Sequence, residues 1–457
     1  MKNIFEKIIN QALEQGASFV EIFMEDTKNV IYQYLNSKLY KRNINYVKGI
    51  GIRIFYQNEV YYGSTSNISE ENLSSLVKKL CFLFNSSPKA PIKLPSLKTL
   101  TTKVEISHED FLESEKLNLL KTADKLIRDS SPLITQNEMS LKEIDKIITI
   151  ANSDGQYIEE KRAFTSLSNT VYAANEETKG RLNTGFSGNG GYEIIKKVDL
   201  ENEYHNLVKN VIALLSAKES PKGEMPIIIA NGFGAVIFHE ACGHALEAEN
   251  ISKNIGTLVG KKETKIASSK VTLIDDGSID SLFGTTKMDD EGHETRKNIL
   301  IENGILKNYM VDYATKDIMK QKLTGSGRRE SYHYASTSRM TNTYLKEGTD
   351  KIEDMIKSID FGLYCYIMNG GMVKLATGDF NFTVTCARVI RNGKLEEYVK
   401  DVSLIGNTKD ILKEVSMVAD DLTHAPGYCN ATSGIIYVTV GQPTIKVNKI
   451  LVGGKGN

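Results

Sequence analysis

One segment concentrates the side chains able to do chemistry: Asn231-Gly-Phe-Gly-Ala-Val-Ile-Phe-His-Glu-Ala-Cys-Gly-His-Ala-Leu-Glu-Ala-Glu249. Inside it lies His239-Glu240-x-x-x-His244. Two neutral imidazoles bind a divalent transition metal, zinc most readily. A glutamate beside the first imidazole can accept a proton from a water held there. In the zincin pattern His-Glu-x-x-His the ligands sit four apart on one helix face. Here they sit five apart. At about 100° per residue, positions i and i+4 lie ~40° apart around a helix, and i and i+5 lie ~140° apart. Two ligands that far apart cannot share one ion from a regular α-helix. A single-turn π-bulge or a break within Glu240–His244 is therefore expected. Gly243 is the cheapest place for the distortion. The chain has only seven histidines, and a chance occurrence of this pattern is expected about 0.01 times.

A catalytic zinc site needs a third protein ligand and an open coordination position. The candidates are Cys242, Glu247, Glu249, His293, Cys386, His424 and Cys429. Cys242 lies between the two histidines and reads as a small core residue. Cys365 and Cys386 sit in apolar strand patterns and read as buried thiols. Glu247 and Glu249 read as solvent-facing. His424 and Cys429 lie in Thr423-His-Ala-Pro-Gly-Tyr-Cys-Asn430, which reads as an exposed Pro/Gly loop suited to a ligand. Residue types alone do not choose between these two. Asp289, Asp290 and Glu291 could hold a second metal, although an acidic turn is the simpler reading. Arg328 and Arg329 are candidates to bind a substrate carboxylate in bidentate fashion, or to form structural ion pairs.

These side chains must be positioned by the elements around them. A short apolar strand, Met225–Ala230, precedes the motif, and Asn231 is a plausible N-cap for a helix over Gly234–Ala248. Beyond the boundary at Pro221-Lys-Gly223 the chain is strand-rich: Lys270–Ile274, Asn298–Leu306, Gly378–Ile390 and Gly434–Val440 read as strands. Thr349–Ser358 and about Thr408–Asp420 read as helices. At the N-terminus, Ile4, Ile8, Ile9 and Leu13 recur at helical spacing before Gly16. Strands follow, with a hairpin at Gln57-Asn58-Glu59 and a helix from Ser69 to about Phe84. Residues 1–84 thus read as an α+β lobe. Pro88, Pro91 and Pro95 mark an irregular crossover over 86–103. Residues 104–220 read as a second α+β lobe. It contains a helix over Glu109–Arg128, a hairpin turning at Asp154-Gly155, a mobile Gly/Asn-rich loop at Gly185–Gly191 and a helix over Asp199–Ala217. The fold class is α+β: N-terminal α/β lobes, then a strand-rich, largely antiparallel domain over 221–457 that carries the metal-binding helix.

Composition narrows the function. Lys plus Arg number 57 and Asp plus Glu number 57, so the net charge is zero. That speaks against binding nucleic acid by phosphate neutralisation, and against a membrane-surface protein held by basic charge. The five cysteines are odd in number and widely spaced, which suits a reducing compartment rather than a disulfide framework. The opening Met-Lys-Asn-Ile-Phe-Glu-Lys lacks the apolar core of a signal peptide. A cytoplasmic location is expected.

The motif segment resembles the metal-binding helix of the TldD/PmbA metallopeptidase family. Further blocks do so in order: Asp275-Asp-Gly277, Asp289-Asp-Glu-Gly292, Leu300-Ile-Glu-Asn-Gly-Ile-Leu306, Gly325-Ser-Gly-Arg-Arg-Glu-Ser331 and Arg339-Met-Thr-Asn-Thr343. Gly370-Gly-Met-Val373, Thr377-Gly-Asp-Phe380, Leu404-Ile-Gly-Asn407 and Gly441-Gln-Pro-Thr-Ile445 complete the set. The intact His-Glu-x-x-x-His is similar to that of the catalytic TldD type. The resemblance implies a third ligand from a cysteine near the C-terminus, which carries over to Cys429. It implies a zinc-dependent peptidase acting on cytoplasmic peptides or unfolded proteins, with Glu240 as general base. It further implies a dimer, with itself or with a motif-less paralogue, and substrates processed as extended strands. The alternative is a metal-stabilised scaffold or chaperone-like partner that holds peptides without cutting them. A purely structural site would not need Glu240, and usually closes with four protein ligands.

Overall fold

The computed structural model describes residues 1–454. The N-terminal half is built on one sheet of β1 (Phe19–Leu35), β2 (Lys38–Tyr56), β3 (Glu59–Thr65), β4 (Lys98–Thr101), β5 (Ile134–Asn152), β6 (Tyr157–Ala174) and β7 (Lys179–Asn189). The order is β3-β2-β1-β5-β6, with β4 and β7 sharing the outer edge of β6. The segments read as two lobes are joined by the antiparallel β1–β5 pairing, in register from Glu21↔Asn152 to Leu35↔Glu138. Their apolar cores stay separate. Helices Lys2–Glu14 and Glu70–Leu80 cover one end, around Phe5, Ile8, Ile52 and Ile54. Helices Glu113–Asp129 and Leu200–Ala213 cover the other, around Leu120, Leu141 and Tyr204.

The two turn signals form hairpins. Gln57 and Asn58 both take positive φ, 50° and 68°, as a two-residue turn requires. Gly155 turns β5 into β6 with φ 87°. The Gly/Asn-rich stretch 185–191 is not a loop: through Asn189 it is the end of β7, paired with Phe164–Ser168. Gly188, Gly190 and Gly191 serve close packing. A Cβ on Gly188 would lie 2.3 Å from the Ser281 carbonyl oxygen.

The C-terminal domain holds two large further sheets, mostly antiparallel, and a two-stranded ribbon of Gly327–Arg328 with Thr337–Ser338. In the larger, Gly223–Ile229 lies between Phe361–Lys374 and Ile445–Gly453, with Asp379–Arg391 and Val402–Asn407 nearby. The smaller runs Ile305–Leu306, Lys297–Glu302, Leu273–Asp276, Asn342–Leu345, Gly434–Gln442, Thr423–Ala431. Two expectations are corrected. The helix after Thr408 ends at Glu414, because Val415–Val418 pairs with Ile445–Val447 as a strand; β-branched Val415 and Val418 suit that pleated, buried position. The Pro/Gly segment around Cys429 is the edge strand Thr423–Ala431, which tolerates Pro426 because an edge N–H is dispensable. One continuous core, from Ile227 and Phe238 to Leu404 and Val447, packs the motif segment between the sheets.

Candidate metal centre

The chain leaves strand Gly223–Ile229 through a tight turn at Gly232–Ala235 and one α-turn at Val236–Phe238. A π-turn follows over His239–Gly243, then a 3₁₀ turn at His244–Leu246. The distortion demanded by the i, i+5 spacing is thus present. A π-turn closes i to i+5, so residues five apart face the same way. The carbonyl of Ala241, inside this turn, accepts a hydrogen bond from Thr408 Oγ1 at 2.8 Å. Gly243 has a different role from the one expected. Its φ −55° and ψ −54° are ordinary helical values. What requires glycine is Met340, whose Sδ lies 2.0 Å from where a Cβ would sit.

Three donors converge. His239 Nε2 lies 3.3 Å from Cys429 Sγ, and His244 Nε2 lies 3.2 Å from the same sulfur. All three residues are buried. Tetrahedral zinc, with Zn–N about 2.05 Å and Zn–S about 2.3 Å, sets such donors about 3.5 Å apart. The set therefore fits one tetrahedral ion with a position left for water. Electrostatics agree. Burial pushes the Cys429 thiol up, but the charge of His239 and hydrogen bonds from both imidazoles outweigh it and bring it down to about 3. Burial pushes His244 down, yet Glu247 and the Cys429 sulfur raise it well above the usual imidazole value. The thiolate is the donor state a metal cation requires, and the proton that the raised His244 holds is the one a bound cation would displace.

Glu240 places its Oε2 3.9 Å from His244 Nε2. Its side chain is 25% exposed, against 10% for that of His244, so it faces the open side of the centre. Glu247 was read as solvent-facing and is instead buried, 3% exposed. Its Oε2 accepts from His244 Nδ1 at 3.0 Å, which fixes the ring and leaves Nε2 free to ligate. The His-x-x-Glu spacing on a helical turn was the available signal. Arg339 ties this arrangement together. Fully buried, it donates from Nη2 to the Cys429 carbonyl at 2.7 Å and from Nη1 to Ser433 Oγ at 2.9 Å. Its Nε lies 3.7 Å from Glu247 Oε1. One guanidinium thus braces the strand carrying Cys429 and the carboxylate orienting His244.

The remaining candidates fall elsewhere. His424 is five residues before Cys429 on one strand, hence on the opposite face, packed against Tyr344 and Gly441. Cys242 points into the core, and burial raises its thiol to about 12. Cys386 lies in the core of the second lobe. Glu249 pairs with Lys253 at the surface. His293 sits with Asp289 and Glu291 in a second group of potential donors. Those carboxylates are already engaged. Asp289 accepts from the Glu291, His293 and Gly327 N–H groups, and Glu291 accepts from Ser336 and pairs with Arg53. Asp290 pairs with Arg162 at 2.7 Å. The acidic turn is a buried ionic clamp between the N-terminal sheet and the C-terminal domain. Arg329 belongs to it through an ion pair with Glu21. Among the described residues Arg328 has no ion-pair partner.

Fold and donor set define the class: an α+β protein with a candidate His₂Cys metal centre beside a free glutamate. Similarity then identifies the family. Residues 20–83, 107–218 and 222–454 match, in order, domain 1, the central domain and the C-terminal domain of the PmbA/TldA metallopeptidases. The chain is 33% identical over 433 residues to a protein named metalloprotease TldD homolog from Buchnera aphidicola, covering 92% of this chain and 89% of that one. It is 28% identical over 454 residues to a zinc metalloprotease TldD homolog from Saccharolobus solfataricus, covering 98% and 99%. Its fold is similar to that of TldE from Thermococcus kodakarensis, with a TM-score of 0.79 at 20% identity over 99% and 100% of the two chains. This chain belongs to the PmbA/TldD metallopeptidase family.

Proposed function

We propose that this chain is a zinc-dependent peptidase with His239, His244 and Cys429 as ligands and Glu240 as general base. The observation that carries the reading is the convergence of two imidazoles and a thiolate beside a carboxylate that is not needed to complete the donor set. Bound there, zinc would lower the pKa of a water and polarise a carbonyl. The protein's own groups do the rest. Glu240 Oε2 takes a proton from the attacking water and returns it to the leaving amine. Glu247 keeps the His244 proton on Nδ1, and Arg339 holds the Cys429 strand. That strand is the last in its sheet, so on this reading an extended peptide adds beside the centre through main-chain hydrogen bonds, with broad side-chain tolerance.

The substrates on this reading are cytoplasmic peptides or unfolded proteins, met by a dimer formed with a second copy or a motif-less paralogue. No helix among the described residues is long and apolar enough to cross a membrane. The test is Glu240→Gln, which keeps shape and removes basicity. It should retain zinc and bind peptide, and cleave it at least ~100-fold more slowly. Wild-type turnover in that variant, with zinc in place, would sink the mechanism. Loss of zinc instead would make Glu240 a ligand and favour a non-catalytic scaffold.

A further inference from the structure

A cavity of about 650 Å³ lies between the N-terminal sheet and the C-terminal domain, on the far side of the Cys429 strand from the metal centre. Tyr428 lines it, and Tyr428 and Cys429, as neighbours on one strand, point to opposite faces. Deep in the same cavity is Arg328, only 6% exposed. Among the described residues its side chain makes one hydrogen bond, from Nη1 to the Met340 carbonyl at 2.8 Å. The other cations there are largely engaged. Arg162 holds Asp290 and Glu160, Arg329 holds Glu21, and Lys146 holds Glu25. Among the described residues no carboxylate stands within ion-pair distance of Arg328. The two buried acids whose charges it feels are both occupied: Asp290, in the cavity wall, is held by Arg162 and the Arg329 N–H, and both oxygens of Asp275 are taken by Thr341 and Thr343. Burial, against the pull of Asp290 and with the charges of Arg162 and Arg339 behind it, brings the Arg328 guanidinium down to about 10. Unlike the sealed Nε atoms of Arg53, Arg329 and Arg339, its unbonded N–H groups stand open to an acceptor in the cavity.

We propose that this cavity is a carboxylate subsite, with Arg328 reading an acidic group of a peptide that lies along the Thr423–Ala431 edge. The inference rests on the peptidase reading of the neighbouring centre. An extended peptide on that edge sends alternate side chains to the metal face and to the cavity face. The carboxylate is either an acidic side chain on the cavity face or the peptide's own C-terminus. Arg329, shut in against Glu21, takes no part. Lys142, which donates to Tyr437 Oη at 3.4 Å, stands at the cavity wall facing the charge of Glu330.

The test uses the zinc-loaded wild-type protein and one short peptide series. A single Glu is walked along the sequence, each peptide has a Gln twin, and each is made with a free acid and an amidated C-terminus. A charge-assisted pair in a buried site should lower KM for one member at least ~10-fold against its neutral twin, with kcat changed far less. A Glu-position effect assigns the carboxylate to a side chain, and an acid-against-amide effect assigns it to the terminus. Either preference should vanish in Arg328→Met and survive in part in Arg328→Lys. Equal KM across all twins on wild-type protein overturns the proposal, and so does a preference that persists in Arg328→Met. The wild-type comparison decides the matter even if Arg328→Met fails to fold. If no peptide is cleaved, the peptidase reading fails by itself. Fluorescence anisotropy of the same labelled peptides on Glu240→Gln protein then decides the subsite separately, by the same acid-against-neutral difference.

Discussion

Glu247 offers the sharpest test of how the centre is held. Its Oε2 accepts a hydrogen bond from His244 Nδ1 at 3.0 Å, while its Oε1 faces Arg339 Nε at 3.7 Å. The carboxylate is 3% exposed, so solvent does little to screen it. Glu247→Gln keeps an acceptor for His244 but removes the charge that makes the imidazole a strong donor to metal. It also turns an amide N–H₂ towards a guanidinium. Glu247→Ala removes the acceptor altogether, leaving a buried N–H and a buried Arg339 without their carboxylate. Outer partners of ligating histidines are worth about 10- to 100-fold in metal affinity. Glu247→Gln should fall near the low end, about 1.4 kcal/mol, and Glu247→Ala near the high end, about 2.7 kcal/mol. Competition against a chelator of known zinc affinity measures this directly, and elemental analysis checks stoichiometry. At saturating zinc much of the turnover should return in Glu247→Gln, because its ligands are all present. Equal zinc affinity in wild type and Glu247→Ala would refute the claim that this carboxylate orients His244.

Cys429→Ser should lower zinc content below one per chain in elemental analysis; unchanged content would move the third ligand away from Cys429. Gly243→Ala should destabilise by about 1–3 kcal/mol through overpacking against Met340, with recovery in the Gly243→Ala, Met340→Ala double variant. A denaturation series that shows no coupling between the two would count against the close-approach argument. Asp312 gives a pH prediction away from the metal. Burial, then the neighbouring Glu291 charge, push its carboxyl up to about 7. The folded state therefore holds this proton more tightly than the unfolded state between about pH 4 and 7, and stability from this group is lost as pH rises through that window. Asp312→Asn carries no such charge, so its Tm relative to wild type should improve from pH 5 to pH 8; a flat difference would show that Asp312 titrates normally.

Much of the site was local and therefore legible. The donors His239 and His244, the carboxylate between them and the need for a π-turn all follow from residue types and a five-residue spacing, because helical geometry is set within a few residues. The hairpins at Asn58 and Gly155 were legible for the same reason. What was not legible depends on partners far along the chain. Cys429 and His424 were indistinguishable as residues of a Pro/Gly segment. Only pairing with Gly434–Gln442 made that segment a strand, and strand alternation then sent one towards the histidines and the other away. Glu247 looked exposed because a glutamate's burial is decided by Arg339, more than ninety positions later. Gly243 read as a conformational need, whereas Met340 made it a steric one. The Gly/Asn stretch before Gly191 read as flexible until Ser281 packed onto it. In the sequence, Arg328 and Arg329 are adjacent and alike. The tertiary structure separates them, because it brings Glu21 within reach of one and leaves the other facing a cavity.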